Sequence, residues 1–217
     1  MIELVIKGGL SYLLGSIIGS LLVAHLTGGV DIRTLGSGNA GATNALRTQG
    51  RMFAFWVLLI DVGKGWIATG WIATAPFRLG ELGPVSGLHE WCVPVCGIAV
   101  MLGHVYPVFS GFRGGKGVAT LAGAVGGISV WLLVPMILTW LIAVMLLGFV
   151  GLASILGAIA LAVTIGLRNL GVPLLVFGIA TAFLILFTHR ANLARMRAGT
   201  ENRVRRLWLL RPRGGHA

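Results

Sequence analysis

Hydrophobic residues in this chain fall into long unbroken runs, and the polar residues are gathered into a few short stretches between them. The first run covers residues 4–26, the second 53–75 and the third 91–109. From 118 to 188 the chain is apolar apart from Arg168, Asn169 and scattered glycines. Runs of this length suit helices crossing a hydrocarbon layer roughly 30 Å thick. A transmembrane barrel would alternate apolar and polar residues, whereas these runs are continuous. The pattern predicts an all-α, polytopic transmembrane helix bundle. Residues 1–217 read as a single integral membrane domain that ends in a basic cytoplasmic tail, 190–217. The first run is longer than the apolar core of a cleaved signal and no Ala-x-Ala site follows it, so it counts as a span. Its Gly15, Ser16, Gly19 and Ser20 have the small-residue spacing of close helix packing.

Charge sets the orientation. Arg33, Arg47 and Arg51 lie between the first two runs and place that loop in the cytoplasm. The 76–90 segment carries Glu81 and Glu90 against only Arg78, which suits the outside. The third run returns to Arg113 and Lys116. Arg190, Arg195, Arg197, Arg203, Arg205, Arg206, Arg211 and Arg213 follow the last run and must also be cytoplasmic. Residues 118–188 then hold an even number of crossings. The expected total is seven spans, with five as the alternative, an outside N-terminus and a cytoplasmic C-terminus.

Composition agrees with a membrane protein: 56% hydrophobic, 11% charged, mean hydropathy +0.92. A soluble domain carries roughly 25% charged residues. The net charge of +11 would suit nucleic acid if it were spread along the chain. It is instead concentrated beside the membrane, where it attracts anionic lipid headgroups, and no nucleic-acid recognition motif accompanies it. Cys92 and Cys96 are too few for a structural zinc site and read as small packing residues. No metal is expected. Asp61 and Lys64, three apart inside the second run, read as a structural ion pair within the bundle.

This topology gathers residues 31–51, 103–117 and 189–206 on one membrane face, and they are the segments rich in chemistry. In the first, GSGNAGATN (36–44) offers small residues and the hydrogen-bonding groups of Ser37, Asn39, Thr43 and Asn44, with Arg47 as a bidentate phosphate donor. It reads equally as a polar loop with a helix cap. In the second, GFRGGKGVAT (111–120) sets Lys116 among Gly114, Gly115 and Gly117. A nucleotide-binding P-loop would need a glycine at 110 and a Ser or Thr at 117, where Ser110 and Gly117 stand. What remains is a generic anion cradle with Arg113 and Thr120 at a helix start, or a flexible basic connector. His104 closes the preceding run and by itself reads as an interfacial histidine. In the third, His189 is a candidate base, Arg190 and Asn192 are candidate phosphate ligands, and Thr200 and Glu201 can cap or buttress. A basic amphipathic tail on the membrane is the plainer reading. Amides and cations with almost no carboxylate, above an apolar bundle, suit an anionic amphiphile. The residues leave two classes open: an enzyme of lipid phosphates, or a transporter of a phosphorylated solute.

GSGNAGATN with Arg47, GHVYPVFSGFRGGKGVAT (103–120) and HRANLARMRAGTE (189–201) resemble, in order and spacing, the three motifs of the bacterial membrane glycerol-3-phosphate acyltransferases that use acyl phosphate, the PlsY family. The departures lie outside the motifs' polar groups: Ile18 where many relatives have proline, and a longer basic tail. The resemblance implies seven spans in the bacterial cytoplasmic membrane and a cytoplasmic-side site, and a monomer is expected. It implies acyl transfer from acyl phosphate to the sn-1 hydroxyl of glycerol 3-phosphate, giving lysophosphatidate and phosphate, with no metal, nucleotide, acyl-CoA donor or other cofactor. Carried onto this chain, it makes His189, Lys116 and Ser37 catalytic. Gly38, Asn39, Thr43, Asn44, Arg47, His104, Gly114, Gly115, Gly117, Thr120, Arg190, Asn192 and Glu201 become binding residues. The His-x4-Asp pair of other glycerolipid acyltransferases is absent; His25 with Asp31 comes nearest. A methyl group added at Gly114, Gly115 or Gly117 is expected to impair KM or kcat more than it lowers the melting temperature in detergent.

Overall fold

Ten α-helices carry the chain in the computed structural model, which describes residues 1–76, 88–204 and 208–209. Arg78, Glu81 and the turn residues Gly80, Gly83, Pro84 and Gly87 lie outside the described residues, as do Arg205, Arg206, Arg211 and Arg213. The helices are α1 (Ile2–Gly15), α2 (Gly19–Thr27), α3 (Ala42–Thr48), α4 (Arg51–Trp66), α5 (Cys92–Val105), α6 (Val118–Ile128), α7 (Val130–Leu147), α8 (Val150–Leu167), α9 (Val172–Thr188) and α10 (Arg190–Arg197). No strand occurs among the described residues.

Each expected run is found as helix, with breaks that the hydropathy pattern does not mark. The first run is α1 and α2, bent by 46° at residues 16–18. Ile18 is extended there and carries α2's N-terminus. The second run is α4, prolonged by a π-helical turn Ile67–Ile72. Its Thr69 hydroxyl donates to the Ala124 carbonyl on α6 at 2.7 Å. The third run is α5, flanked by single 3-10 turns. The apolar stretch 118–188 divides into four helices, α6 to α9, and α9 bends by 50° into α10 at His189.

Four continuous segments are long and apolar enough to cross a membrane: Arg51–Ile72, His89–Ser110, Val130–Leu147 and Val150–Leu167. Counting each bent pair as one span makes six, and α6 is apolar but only 11 residues long. Cys92 and Cys96 are buried, packed with Ala73 and Leu4, as their small apolar character suggests.

Packing is closest where glycine removes the side chain. α1 lies against α5 with Gly15 on the Val100 backbone and Gly103 on the Tyr12 carbonyl. α4 lies against α6 with Gly65 on Thr120 and Ala124, and Gly123 on Val62. Such contacts supply dispersion where lipid removes the hydrophobic drive between helices. The largest buried cluster joins Met101, Leu121, Val125, Leu132, Leu161, Ile165, Phe177 and Ile185 from five helices, α5 to α9. Much of α7 turns its apolar side chains outward, with Trp131 80% exposed, as a lipid-facing helix would. A Cβ at Gly123 has no room against the Val62 backbone, whereas one at Gly63 meets nothing within 4 Å. Gly123→Leu is expected to cost about 1–3 kcal/mol by overpacking and to lower the melting temperature in detergent, with Gly63→Ala neutral.

Candidate active site

The glycine loop begins where α5 ends. Helix C-termini leave carbonyls without partners, and here the loop folds back to supply donors. The Gly114 amide donates to the Val105 carbonyl at 3.2 Å and the Gly115 amide to the His104 carbonyl at 3.1 Å. These two amides are therefore committed inside the fold, and the expectation that they bind substrate is corrected. The amides of residues 116–120 have no main-chain acceptor among the described residues. They form the first turn of α6, opened by Gly117 at φ +84°. Gly115 is required for its size: a Cβ there would fall on the His104 ring, and one at Gly114 would fall on the His104 carbonyl, so the expectation that a methyl group acts mainly on KM or kcat is corrected for these two positions, where it disturbs the fold. Thr120 is fully buried and its hydroxyl has no partner among the described residues, so it sits inside the α4–α6 contact.

Lys116 leans toward α10, where its ammonium donates to Asn192 Oδ1. Asn192 Nδ2 donates to Glu201 Oε1 at 2.7 Å, and Arg195 Nε donates to Glu201 Oε2 at 2.6 Å. Glu201 is thereby engaged on both oxygens and buttresses the donors; it does not face an anion. Burial, followed by the charges of Arg195 and Arg47, pushes Lys116 down to about 8. That also places Arg47 in the field of the same ammonium.

His189 sits at the α9–α10 bend, 3% exposed. Its Nδ1 lies 2.8 Å from the Ile185 carbonyl. Only Nδ1–H can make that bond, so the proton is assigned to Nδ1 and Nε2 keeps its lone pair. Burial, then the Lys116 charge, pushes His189 down to about 4, leaving it neutral at pH 7. Arg190 is engaged locally. Its guanidinium stacks 4.2 Å over Phe187 and donates to the Phe187 carbonyl at 3.0 Å.

The first motif divides into framework and surface. Asn44 is 1% exposed. Its Nδ2 lies 3.0 Å from the carbonyls of Ile32, Leu35 and Asn39, and its Oδ1 accepts from the Ser37 amide at 3.0 Å. Asn44 is thus consumed in shaping the loop and is corrected from ligand to framework. Ser37, Gly38, Thr43 and Arg47 are exposed and Asn39 is half-buried. None of their side chains is hydrogen-bonded to Lys116 or His189.

Two arrangements escaped the sequence reading. Arg33, counted only as a topology charge, ties the first two motifs together. It pairs with Asp31 at 2.7 Å and donates to the carbonyls of Ser110 at 3.2 Å and Arg113 at 2.8 Å. The expected Asp61–Lys64 pair is present at 3.0 Å, but His104 joins it, with Nδ1 2.8 Å from Lys64 Nζ and 3.4 Å from Asp61 Oδ1. Nothing in the spacing of 61, 64 and 104 announces that contact. The one trio of metal-type donors among the described residues, Glu3, His89 and Cys92, lies at the opposite ends of α1 and α5, where Lys7 holds Glu3 at 2.8 Å.

Asn44→Ala would strip buried carbonyls of their donor, at about 1–3 kcal/mol. It is expected to lower the melting temperature, whereas Ser37→Ala leaves it unchanged; thermal unfolding in detergent checks both.

The glycerol-3-phosphate acyltransferase family matches residues 5–199. A glycerol-3-phosphate acyltransferase of Chlorobium phaeovibrioides is 37% identical over 89% of this chain and 93% of its own length. One of Chromobacterium violaceum is 38% identical over 89% and 91%. Among solved structures, PlsY (YgiH), described as an integral membrane glycerol 3-phosphate acyltransferase, superposes in its glycerol 3-phosphate form with TM-score 0.82 at 36% identity, covering 92% of this chain and 94% of that one. Its lysophosphatidic acid form gives 0.81 at 35%.

Proposed function

The chain belongs to the glycerol-3-phosphate acyltransferase family, and on that premise we propose that it transfers a fatty acyl group from acyl phosphate to the sn-1 hydroxyl of glycerol 3-phosphate. The observation that carries this reading is the juxtaposition of Lys116, Asn192 and Arg195, in the field of Arg47, beside the unpaired amides of the α6 first turn. Such a cluster suits phosphate, and it stands on an apolar bundle that suits an acyl chain. The bundle is read as seven spans: α1 with α2, α4, α5, α6, α7, α8 and α9. The N-terminus is then outside, and the cradle lies on the cytoplasmic side of the bacterial inner membrane. The enzyme works as a monomer in this reading.

Acyl phosphate is a mixed anhydride, so its phosphate leaves readily. The glycerol oxygen bonds to the acyl carbon, and the bond from that carbon to phosphate oxygen breaks with its electron pair. The hydroxyl proton passes to a base. The protein's main task is to hold two anions side by side. Alignment of this kind can supply up to roughly 7–11 kcal/mol of the barrier. Lys116, Arg47 and Asn192 hold phosphate oxygens, Ser37 reaches the substrate from the exposed loop, and the α6 amides take a second anionic oxygen. Neutral His189 presents Nε2 to the attacking hydroxyl. Its pKa of about 4 makes it by itself a weak base. A bound phosphate dianion raises it, and a phosphate oxygen of the substrate is the competing acceptor.

Purified protein in detergent, given palmitoyl phosphate and glycerol 3-phosphate, is expected to release lysophosphatidate and phosphate. Turnover with no membrane barrier separates an enzyme from a transporter, and its absence overturns the reading. Lys116→Ala is expected to lower kcat/KM by about 100-fold or more. Lys116 at about 8 keeps its charge below that pH and loses it above. The KM for glycerol 3-phosphate should therefore rise above about pH 8, and Lys116→Arg should move that rise to higher pH. Near-normal turnover by His189→Ala would remove the histidine as base.

A further inference from the structure

Asp61, Lys64 and His104 form a buried polar cluster that the proposed chemistry leaves unused. Asp61 is 0%, Lys64 3% and His104 2% exposed. A buried ion pair is no more stabilising than apolar residues of similar volume, so burial alone gives no reason for three such groups. Part of the cluster is a staple. Lys64 Nζ donates to the carbonyls of Gly15 at 3.0 Å and Ile17 at 2.7 Å, which the α1–α2 break exposes. The Gly19 amide donates to Asp61 Oδ1 at 3.3 Å. That task needs only Lys64 and Asp61, yet both also meet an imidazole.

Counting protons fixes the ring. An ammonium has three N–H bonds. Two of them serve Gly15 and Ile17, and the third lies between Asp61 Oδ1 at 3.0 Å and His104 Nδ1 at 2.8 Å. A nitrogen that close to an ammonium is an acceptor, so Nδ1 is bare and the ring proton is on Nε2. Nε2 has no partner among the described residues. It is directed at Gly115, where any Cβ would fall on it. The loop is held over this ring by the Gly114 and Gly115 amides bonded to the last carbonyls of α5.

We propose that Asp61 and Lys64 are positioning residues that fix His104 with Nε2–H turned to the glycine loop, where it donates a hydrogen bond to the carbonyl oxygen of the bound acyl donor. The inference rests on the acyl-transfer reading above. The donor is held from the bundle side, and the phosphate cations come from the surface side. Asp61 and Lys64 lie ten and thirteen residues into α4, about 15 Å or more along a helix of 1.5 Å rise. Lys116 and Asn192 are instead on the loop and the tail. A substrate with its phosphate at Lys116 extends its acyl end toward the bundle, and the carbonyl is the first polar atom on that side. Negative charge grows on that oxygen as the glycerol oxygen attacks, and a fixed donor there acts on the transition state.

The test combines kinetics with the state of the ring. His104→Phe keeps a planar ring without a donor, and His104→Gln restores an N–H. With palmitoyl phosphate and glycerol 3-phosphate in detergent, His104→Phe is expected to lose about 100-fold in kcat while the KM for glycerol 3-phosphate stays within about twofold. His104→Gln should recover at least about tenfold over Phe. Asp61→Asn should show the same split with a smaller loss of kcat. Nitrogen-15 NMR of histidine-labelled wild-type protein should show the His104 proton on Nε2, and Asp61→Asn should disturb that signal. A proton on Nδ1 would overturn the donor assignment, as would equal activity of Phe and Gln variants that both melt like wild type. A KM for glycerol 3-phosphate that rises in step with the kcat loss would also overturn it. If wild-type protein fails to turn over, the acyl-transfer reading fails first, and the proton position still decides whether the positioning is real.

Discussion

Main-chain polar groups inside a membrane need partners from the protein, because hydrocarbon offers none. The structure turns on how that constraint is met at its helix breaks. At the α1–α2 bend the freed carbonyls of Gly15 and Ile17 take the Lys64 ammonium. At the end of α5 the carbonyls of His104 and Val105 take the amides of Gly115 and Gly114. At the Ser110–Arg113 turn the carbonyls take Arg33. Each repair brings a charged or flexible segment to the place where the bundle opens. The candidate site is built from those same segments.

The repairs also separate donors that are spent from donors that are free. Asn44, Arg33 and the amides of Gly114 and Gly115 are committed to the fold. Lys116 and Asn192 are turned toward one another, the amides of residues 116–120 have no main-chain acceptor among the described residues, and Nε2 of His189 keeps a lone pair as an acceptor. Glu201 holds Asn192 and Arg195 in place from behind. A cradle whose supports are fully bonded loses little order when an anion arrives, which suits a reaction driven by alignment. The low pKa values of Lys116 and His189 follow first from burial and then from the neighbouring cations. A phosphate dianion would offset those cation charges, which is the electrostatic basis of the proposed phosphate site.

Motif composition overstated the number of ligands in a consistent way. Asn44 and Arg190 have donors suited to phosphate, Glu201 is an acceptor-only carboxylate, and each is directed elsewhere by a neighbour that only folding supplies. Asn44 is turned inward by three loop carbonyls, Glu201 by Asn192 and Arg195, and Arg190 by the Phe187 ring. Side-chain type states what a residue can bind. The nearest competing partner states what it does bind.

The hydropathy runs by themselves determined that the chain is a helical membrane protein, because span length and continuity are local properties of sequence. They placed the first three helical segments to within a few residues. The three polar motifs and their order determined the family, since each is a contiguous string. The Asp61–Lys64 pair was legible too, being one turn apart on one helix. Tertiary structure alone decided the bend at residues 16–18, the division of 118–188 into four helices and the tie from Arg33 to the glycine loop. It alone brought His104 to Asp61 and Lys64 across forty residues of chain. The physical reason is the same in each case: these features depend on which distant group satisfies a buried polar atom, and no periodicity along the chain records that choice.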